Sequence, residues 1–316
     1  MDWVGLIEEL CQRVLIAERV GNPAVDLRDF DRPVQDDIVV NSMSFPRRHP
    51  SIIFGDGGTL KSYIGLWICG SLARQGMRTA YFDWELAGED HRDRLERLFG
   101  ADMPQILYAK CDRPLVHEVD RLGRIVRDSR IDYAIYDSVA FACDGPPEAA
   151  EVAGRYFRGV RQIGGGSLHV AHVSKAEGSD QKPFGSAFWH NGARSTWYAE
   201  LDETSAGTDV LQIGLFNRKT NLGRRSQNVS YRVIFTEERT TISRADIAES
   251  ANLAAQMSIR QRMLMLLRRG SMTEEEISLQ LEENIESVKR TVRRGKDQFT
   301  VMQGGKIALL EKQRTL

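Results

Sequence analysis

The sequence predicts an α/β protein: a mostly parallel sheet with helices on both faces and antiparallel strands at one edge, followed by a small α+β domain. Three observations carry this. Between residues 51 and 173, short apolar runs alternate with amphipathic stretches, the pattern of strands joined by crossover helices. Between 196 and 235, β-rich runs follow one another with only short turns between them, which suits antiparallel additions to a sheet edge. From Ser258 onward the chain turns strongly basic and amphipathic. The expected division is an N-terminal helix and linker over 1–47, a core over 48–244 and a C-terminal domain over 256–316.

Taken in order, residues 2–20 set Val4, Ile7, Leu10, Cys11, Val14 and Leu15 at helical spacing among charged residues. A polar, Asp-rich connection runs to about residue 48. Ser51–Phe54 reads as a strand that breaks into Gly55, Gly57 and Gly58, and a helix follows from Lys61 to about Gln75, stopped by Gly76. Thr79–Trp84, Ile106–Cys111, Ile131–Asp137 and Ser167–Val173 read as further buried strands, with helices over Asp90–Leu98, Leu115–Asp128 and Glu148–Ile163 between them. Lys175–Gly185 is a polar loop. Thr196–Leu201, Val210–Phe216 and Val229–Phe235 read as the antiparallel edge, and Ala245–Ala255 as a linker helix.

The formal net charge is only −1 over 316 residues, so nucleic-acid binding would have to come from local basic patches rather than the overall field. Cys11, Cys69, Cys111 and Cys143 are far apart and form no CxxC pair, which argues against a zinc or disulfide framework. No apolar run approaches the ~20 residues that span a membrane. Residues 1–14 include acidic side chains and do not read as a signal peptide. A cytoplasmic protein with no membrane partner is expected.

Gly55-Asp56-Gly57-Gly58-Thr59-Leu60-Lys61-Ser62 lies between a strand and a helix and nearly matches GxxxxGK[ST], the phosphate-binding P-loop. Glycines let backbone N–H groups curl around phosphate oxygens, and the helix N-terminus adds its dipole. Lys61 is placed to contact the β- and γ-phosphates of ATP, and Ser62 to ligate Mg²⁺. Leu60 departs from the pattern, because it stands where glycine usually precedes the lysine; its side chain either crowds the cradle or forces another backbone geometry. The strand ending in Asp137 aims a carboxylate as a Mg²⁺ acid is aimed. Glu85, at the end of the strand after the P-loop helix, is the candidate general base. Asp83 and Glu89 are its rivals, with Asp83 expected on the same face and two residues deeper. His172, at the tip of the next strand, reads either as a γ-phosphate sensor or as a structural histidine.

These motifs, in this order, resemble the RecA/DnaB-type ATPases, and among them the RepA-like hexameric replicative helicases of plasmids and phages. Supporting it are the P-loop, Glu85, Ile135-Tyr136-Asp137-Ser138, His172-Val173-Ser174-Lys175, Gly185-Ser186 with Arg194, and Arg218-Lys219-Thr220-Asn221-Leu222-Gly223. The resemblance spans about residues 48–235. It implies a RecA-like core assembled as a homo-oligomeric, hexameric ring, with ATP and Mg²⁺ between subunits and channel loops gripping single-stranded DNA. It further implies Glu85 as catalytic base, Asp137 as Mg²⁺ acid, His172 as sensor, and Arg218 and Lys219 as cations reaching a neighbour's nucleotide, with Arg224 and Arg225 close by. Lys175 and Lys182 fall in the loop that corresponds to the family's DNA-contacting loop; an ordinary surface loop is the other reading.

The C-terminal stretch reads as three helices and a hairpin. Ile259–Leu267 turns Met263, Leu264, Leu266 and Leu267 inward, and Thr273-Glu274-Glu275-Glu276 is a capping box opening a helix through Leu281. Asn284 caps a third helix with Ile285, Val288 and Val292 on one face. Phe299–Met302 and Lys306–Leu310 pair through Gly304-Gly305. The arrangement resembles a winged helix. Lys289, Arg290, Arg293, Arg294 and Lys296 cluster on or just after the third helix, so duplex DNA is the expected partner. A protein-binding winged helix with a solvated basic face is the alternative.

Overall fold

The computed structural model describes residues 2–20, 24–31, 37–173, 182–184, 186–202, 204, 207–221 and 226–310. It divides after Asp36 into two units. The first holds helix α1 (Trp3–Val20) and a short turn at Leu27–Asp29 capped by the Asp26 side chain. Its predicted apolar stripe is exposed along its length, at Val4, Ile7, Leu10, Val14 and Leu15.

The second unit opens with a hairpin, β1 (Ile38–Val40) and β2 (Met43–Phe45). Sequence reasoning left this stretch in the linker, yet Ile38, Val40, Met43 and Phe45 are buried in the main core. The βα alternation then follows: β3 (Pro50–Gly55), α2 (Lys61–Arg74), β4 (Thr79–Asp83), α3 (Gly88–Phe99), β5 (Ile106–Lys110), α4 (Leu115–Asp128), β6 (Tyr133–Asp137), α5 (Val139–Ala142), α6 (Ala150–Ile163), β7 (Gly166–His172), α7 (Ala187–Gly192), β8 (Ser195–Leu201), β9 (Val210–Thr220), β10 (Val229–Phe235) and β11 (Thr240–Ala245). These strands form one nine-stranded sheet in the order β11-β10-β9-β8-β3-β7-β6-β4-β5. From β8 to β5 all neighbours are parallel; β9, β10 and β11 are antiparallel. Two expectations are corrected here. β8 pairs parallel to β3 instead of belonging to the antiparallel edge, and β11 adds an edge strand just before the stretch read as a linker helix.

Side-chain alternation sorts the core into two layers. Ile52, Phe54, Phe82 and Tyr136 face α4 and α6, through Leu115, Leu122, Val160 and Ile163. Ile53, Tyr81 and Ile135 face α2, through Ile64, Ile68 and Leu72. Full burial of each such side chain stabilises by about 1.5–3 kcal/mol. Because β7 and β6 lie between β3 and β4, the chain leaves β3 and crosses over them before returning. This opens a crevice outside the carboxyl ends of the central strands, the usual ligand position in such sheets.

After β11 come α8 (Ala251–Ala255), α9 (Ile259–Leu266), α10 (Glu274–Leu281), α11 (Ile285–Arg294), β12 (Phe299–Val301) and β13 (Ile307–Leu309). These are the three helices and hairpin expected. The capping box at α10 forms in both directions: Thr273 Oγ1 accepts from Glu276 N at 3.2 Å, and Glu276 Oε2 accepts from Thr273 N at 2.8 Å. Met263, Ile277, Val288, Val292 and Phe299 make a separate small core. Among the described residues no helix is long and apolar enough to cross a membrane.

Candidate nucleotide site

The Gly-rich loop leaves β3 and enters α2 at Lys61. A Cβ on Gly55 would lie 2.2 Å from the Ala199 carbonyl oxygen, so only glycine fits against β8. On Gly57 and Gly58 a Cβ would meet nothing within 4 Å, and Gly58 has φ +77. The loop therefore turns bare backbone toward open space. No side chain caps α2, which leaves its first amides to an anion. Lys61 is only 5% exposed. Its ammonium donates to the Asp56 carbonyl and, at 3.1 Å, to Thr59 Oγ1. Burial pushes its pKa down to about 8, against the opposing influence of Asp137, Asp56 and Glu85. A buried lysine at the start of α2, beside the open backbone of Gly57 and Gly58, fits a polyphosphate.

Leu60 has φ 57 and ψ 17, a left-handed backbone that suits glycine. Its side chain packs with the α2-side core, so the loop keeps a glycine-like path with leucine in place.

Asp137 ends β6, level with Asp83 on β4. It is 1% exposed; Oδ2 accepts from the Tyr81 hydroxyl at 2.6 Å, while Oδ1 is buried with no hydrogen-bond partner. Burial raises its pKa, opposed by Tyr81 and by Ser62. An orphaned carboxylate oxygen beside a serine hydroxyl at the mouth of a phosphate loop suits Mg²⁺.

Glu85 does not end β4, which stops at Asp83; it sits in the bend that follows, with its side chain exposed. Asp83, two residues deeper, is the last residue of the strand. The Asp83 carboxylate is fully buried and accepts from Glu85 N at 3.0 Å and from Tyr108 OH at 3.0 Å. Glu85 nevertheless lies close enough to Lys61, Asp137 and His172 to influence the ionisation of all three. His172 ends β7 and is half-buried. Desolvation lowers its pKa, Lys61 lowers it further, and Glu85 and Asp56 oppose. The crevice thus brings together Lys61, Ser62, Glu85, Asp137 and His172. Tyr81 and the role of Asp83 escaped the sequence reading. The available signal was period-2 alternation, which sets Tyr81 and Asp83 on one face of the strand after the P-loop helix.

The cations expected to reach a neighbour are engaged within the chain. Lys219 Nζ donates to the carbonyls of His190, Asn191 and Ala193 at 2.7, 3.2 and 2.9 Å, closing the end of α7. It lies opposite Thr196, which is level with Ile52, three residues before Gly55. Arg218 donates from Nη1 to Gln256 O at 3.2 Å and from Nη2 to Gln256 Oε1 at 3.1 Å, and stacks over Tyr198 and Phe216. Ser174, Lys175, Gly185, Leu222, Gly223, Arg224 and Arg225 lie outside the described residues; Lys182 is described and is half-buried.

On the C-terminal domain, Arg290, Arg293, Arg294 and Lys296 are exposed, and Lys289 pairs with Glu286 at 3.2 Å. Lys289, Arg293 and Lys296 line a groove of about 380 Å³ together with the exposed Val301.

The sheet order, the crossover and the loop at the carboxyl end of β3 define a RecA-like P-loop fold. Among solved structures, the chain is similar to the crystal structure of a KaiC-like protein from the hyperthermophilic archaeon Pyrococcus horikoshii OT3. The TM-score is 0.50 and the identity 16%, over 63% of this chain and 91% of that one. No protein-family model matches the sequence, and no curated protein does.

Proposed function

We propose that the chain is an ATPase whose hydrolysis drives a DNA-acting motor, a helicase or translocase of replication or recombination that works as a homo-oligomer. The observation that carries this is the convergence of Lys61, Ser62, Glu85, Asp137 and His172 around an open glycine loop. The amides of residues 57–62 and Lys61 hold the β- and γ-phosphates. Ser62 and the free Asp137 oxygen hold Mg²⁺, which when bound neutralises charge developing on the phosphate oxygens. Glu85, exposed beside the lysine, accepts the proton of the attacking water. His172 hydrogen-bonds the γ-phosphate as a neutral imidazole, consistent with its lowered pKa. Glu85→Gln tests the reading: ATP binding should persist while hydrolysis slows by about 10²-fold or more. Unchanged turnover in that variant would remove Glu85 from the chemistry.

On the DNA side, the α11 cations supply the duplex contact, and the 175–185 loop, with Lys175 and Lys182, the single-strand contact. A second reading, an ATP-gated regulator that binds one duplex sequence, is favoured by the way the C-terminal domain is joined to the core. Met257 is buried in the core and Arg218 holds Gln256 immediately before it. ATP-dependent displacement of a strand from a forked duplex supports the motor. Binding confined to one duplex sequence, with no displacement, supports the regulator.

A further inference from the structure

We infer that Asp83 is a positioning residue, which holds the Trp84–Leu86 bend in the backbone shape that presents Glu85 to the phosphate side of the crevice. The inference rests on the reading of Glu85 as the proton acceptor.

The amides of Trp84, Glu85 and Leu86 and the Leu86 carbonyl are all held by hydrogen bonds. Asp83 Oδ1 accepts from Glu85 N at 3.0 Å and from Leu86 N at 3.2 Å, and Oδ2 accepts from Leu86 N at 3.1 Å. The Leu86 carbonyl accepts from Lys110 Nζ at 2.8 Å and lies 3.3 Å from the Tyr108 hydroxyl, which also reaches Asp83 Oδ2 at 3.0 Å. On the other side, Trp84 N donates to Asp137 O at 2.7 Å, and the Trp84 indole donates to Arg113 O at 2.8 Å. Trp84 is largely buried, and the Glu85 side chain alone of the two points into solvent. The bend is thus clamped at the amides of three consecutive residues, and the side chain exposed at its apex is that of the candidate base.

Asp83 itself is unsuited to proton transfer. It is fully buried, both oxygens are occupied, and His91 Nε2 closes the remaining approach at 3.3 Å from Oδ2. Burial alone would raise its pKa, but His91 and the Glu85 and Leu86 amides outweigh burial and hold it below the usual carboxylate range. It is a fixed acceptor. Loss of the acceptor frees the bend, and a shift of about 1 Å in a reacting group can cost on the order of 10²-fold in rate.

The experiment compares Asp83→Ala, Asp83→Asn and Glu85→Gln in the full chain, reading kcat and KM for ATP separately. Asp83→Ala should lower kcat by about 10²-fold with KM unchanged. Asp83→Asn should recover most of it, because the amide oxygen still accepts from the Glu85 and Leu86 amides. A readout without nucleotide accompanies these: amide hydrogen exchange at Glu85 and Leu86 should be slow in the wild type and fast in Asp83→Ala. If Glu85→Gln hydrolyses at the wild-type rate, the base assignment fails. If Glu85→Gln is slow but Asp83→Ala is not, or if Asp83→Asn is as impaired as Asp83→Ala, the positioning role fails. Should Asp83→Ala not fold, the Tyr108→Phe/Lys110→Met pair releases the Leu86 carbonyl instead. A fall in kcat at constant KM supports the clamp, and no change overturns it.

Discussion

Leu60 sits in a left-handed backbone that costs a residue with a β-carbon about 1–2 kcal/mol, and its side chain offsets this by packing on the α2-side core. The two effects oppose, so Leu60→Gly should change both thermal stability and ATP affinity little. A large gain in affinity would show that leucine crowds the phosphates after all. Lys61 is the side chain whose removal should cost most, because it is the buried cation of the cradle; Lys61→Ala should abolish ATP binding in a titration calorimeter. The same lysine makes binding depend on pH. With its pKa held to about 8 in the nucleotide-free protein, the ammonium is charged below that value and neutral above it. A triphosphate favours the charged form, so affinity should be flat below pH 8 and fall as pH rises through it, with a proton taken up on binding. Calorimetry at about pH 9 in two buffers of different ionisation enthalpy measures that uptake. Zero uptake would mean that the lysine is already charged.

At the scale of elements, the C-terminal domain gives the sharpest test of a DNA contact. Val288 and Val292 are buried on the inner face of α11, whereas Arg293 is exposed and Lys289 half-exposed. Lys289→Glu/Arg293→Glu should therefore leave the fold and basal ATPase intact. Duplex affinity should drop, and the salt slope should flatten by about one unit per lost phosphate contact; persistence of the same slope would favour a protein partner. This domain was legible in the sequence because caps and glycine turns act locally: Thr273, Asn284 and Gly304-Gly305 each mark a boundary without help from distant residues. The loop at 55–62 and the strand tips at Asp137 and His172 were legible for the same reason. What escaped depends on pairing. The alternation in β8 says nothing about its direction, which is set by the connection through α7, too short to show a helical period. β11, Thr-Thr-Ile-Ser-Arg-Ala, lacks an apolar stripe because it is an edge strand with one face wet. The shape of the bend at Glu85 comes from hydrogen bonds to Asp83, Tyr108 and Lys110, which only the register of β4 and β5 brings together.

Across residues 37–316, the join between core and C-terminal domain is built from the core itself. Leu253 and Met257 belong to the same buried cluster as Tyr198 and Phe216, Met265 of α9 packs on that cluster, and Asn228 donates to Gln261 at 3.3 Å. Arg218 fastens Gln256 in the middle of this join. Arg218→Ala should keep ATP binding while splitting the calorimetric melting of the chain into two steps; a single unchanged transition would show that the methionines suffice to hold the join. The join also bears on where the chain can be cut. A protease that nicks ordinary interdomain linkers should leave residues 251–257 intact, and a gene truncated before them would yield a core with an open apolar socket beside Phe216, one that collects in inclusion bodies instead of behaving as a free-standing ATPase domain.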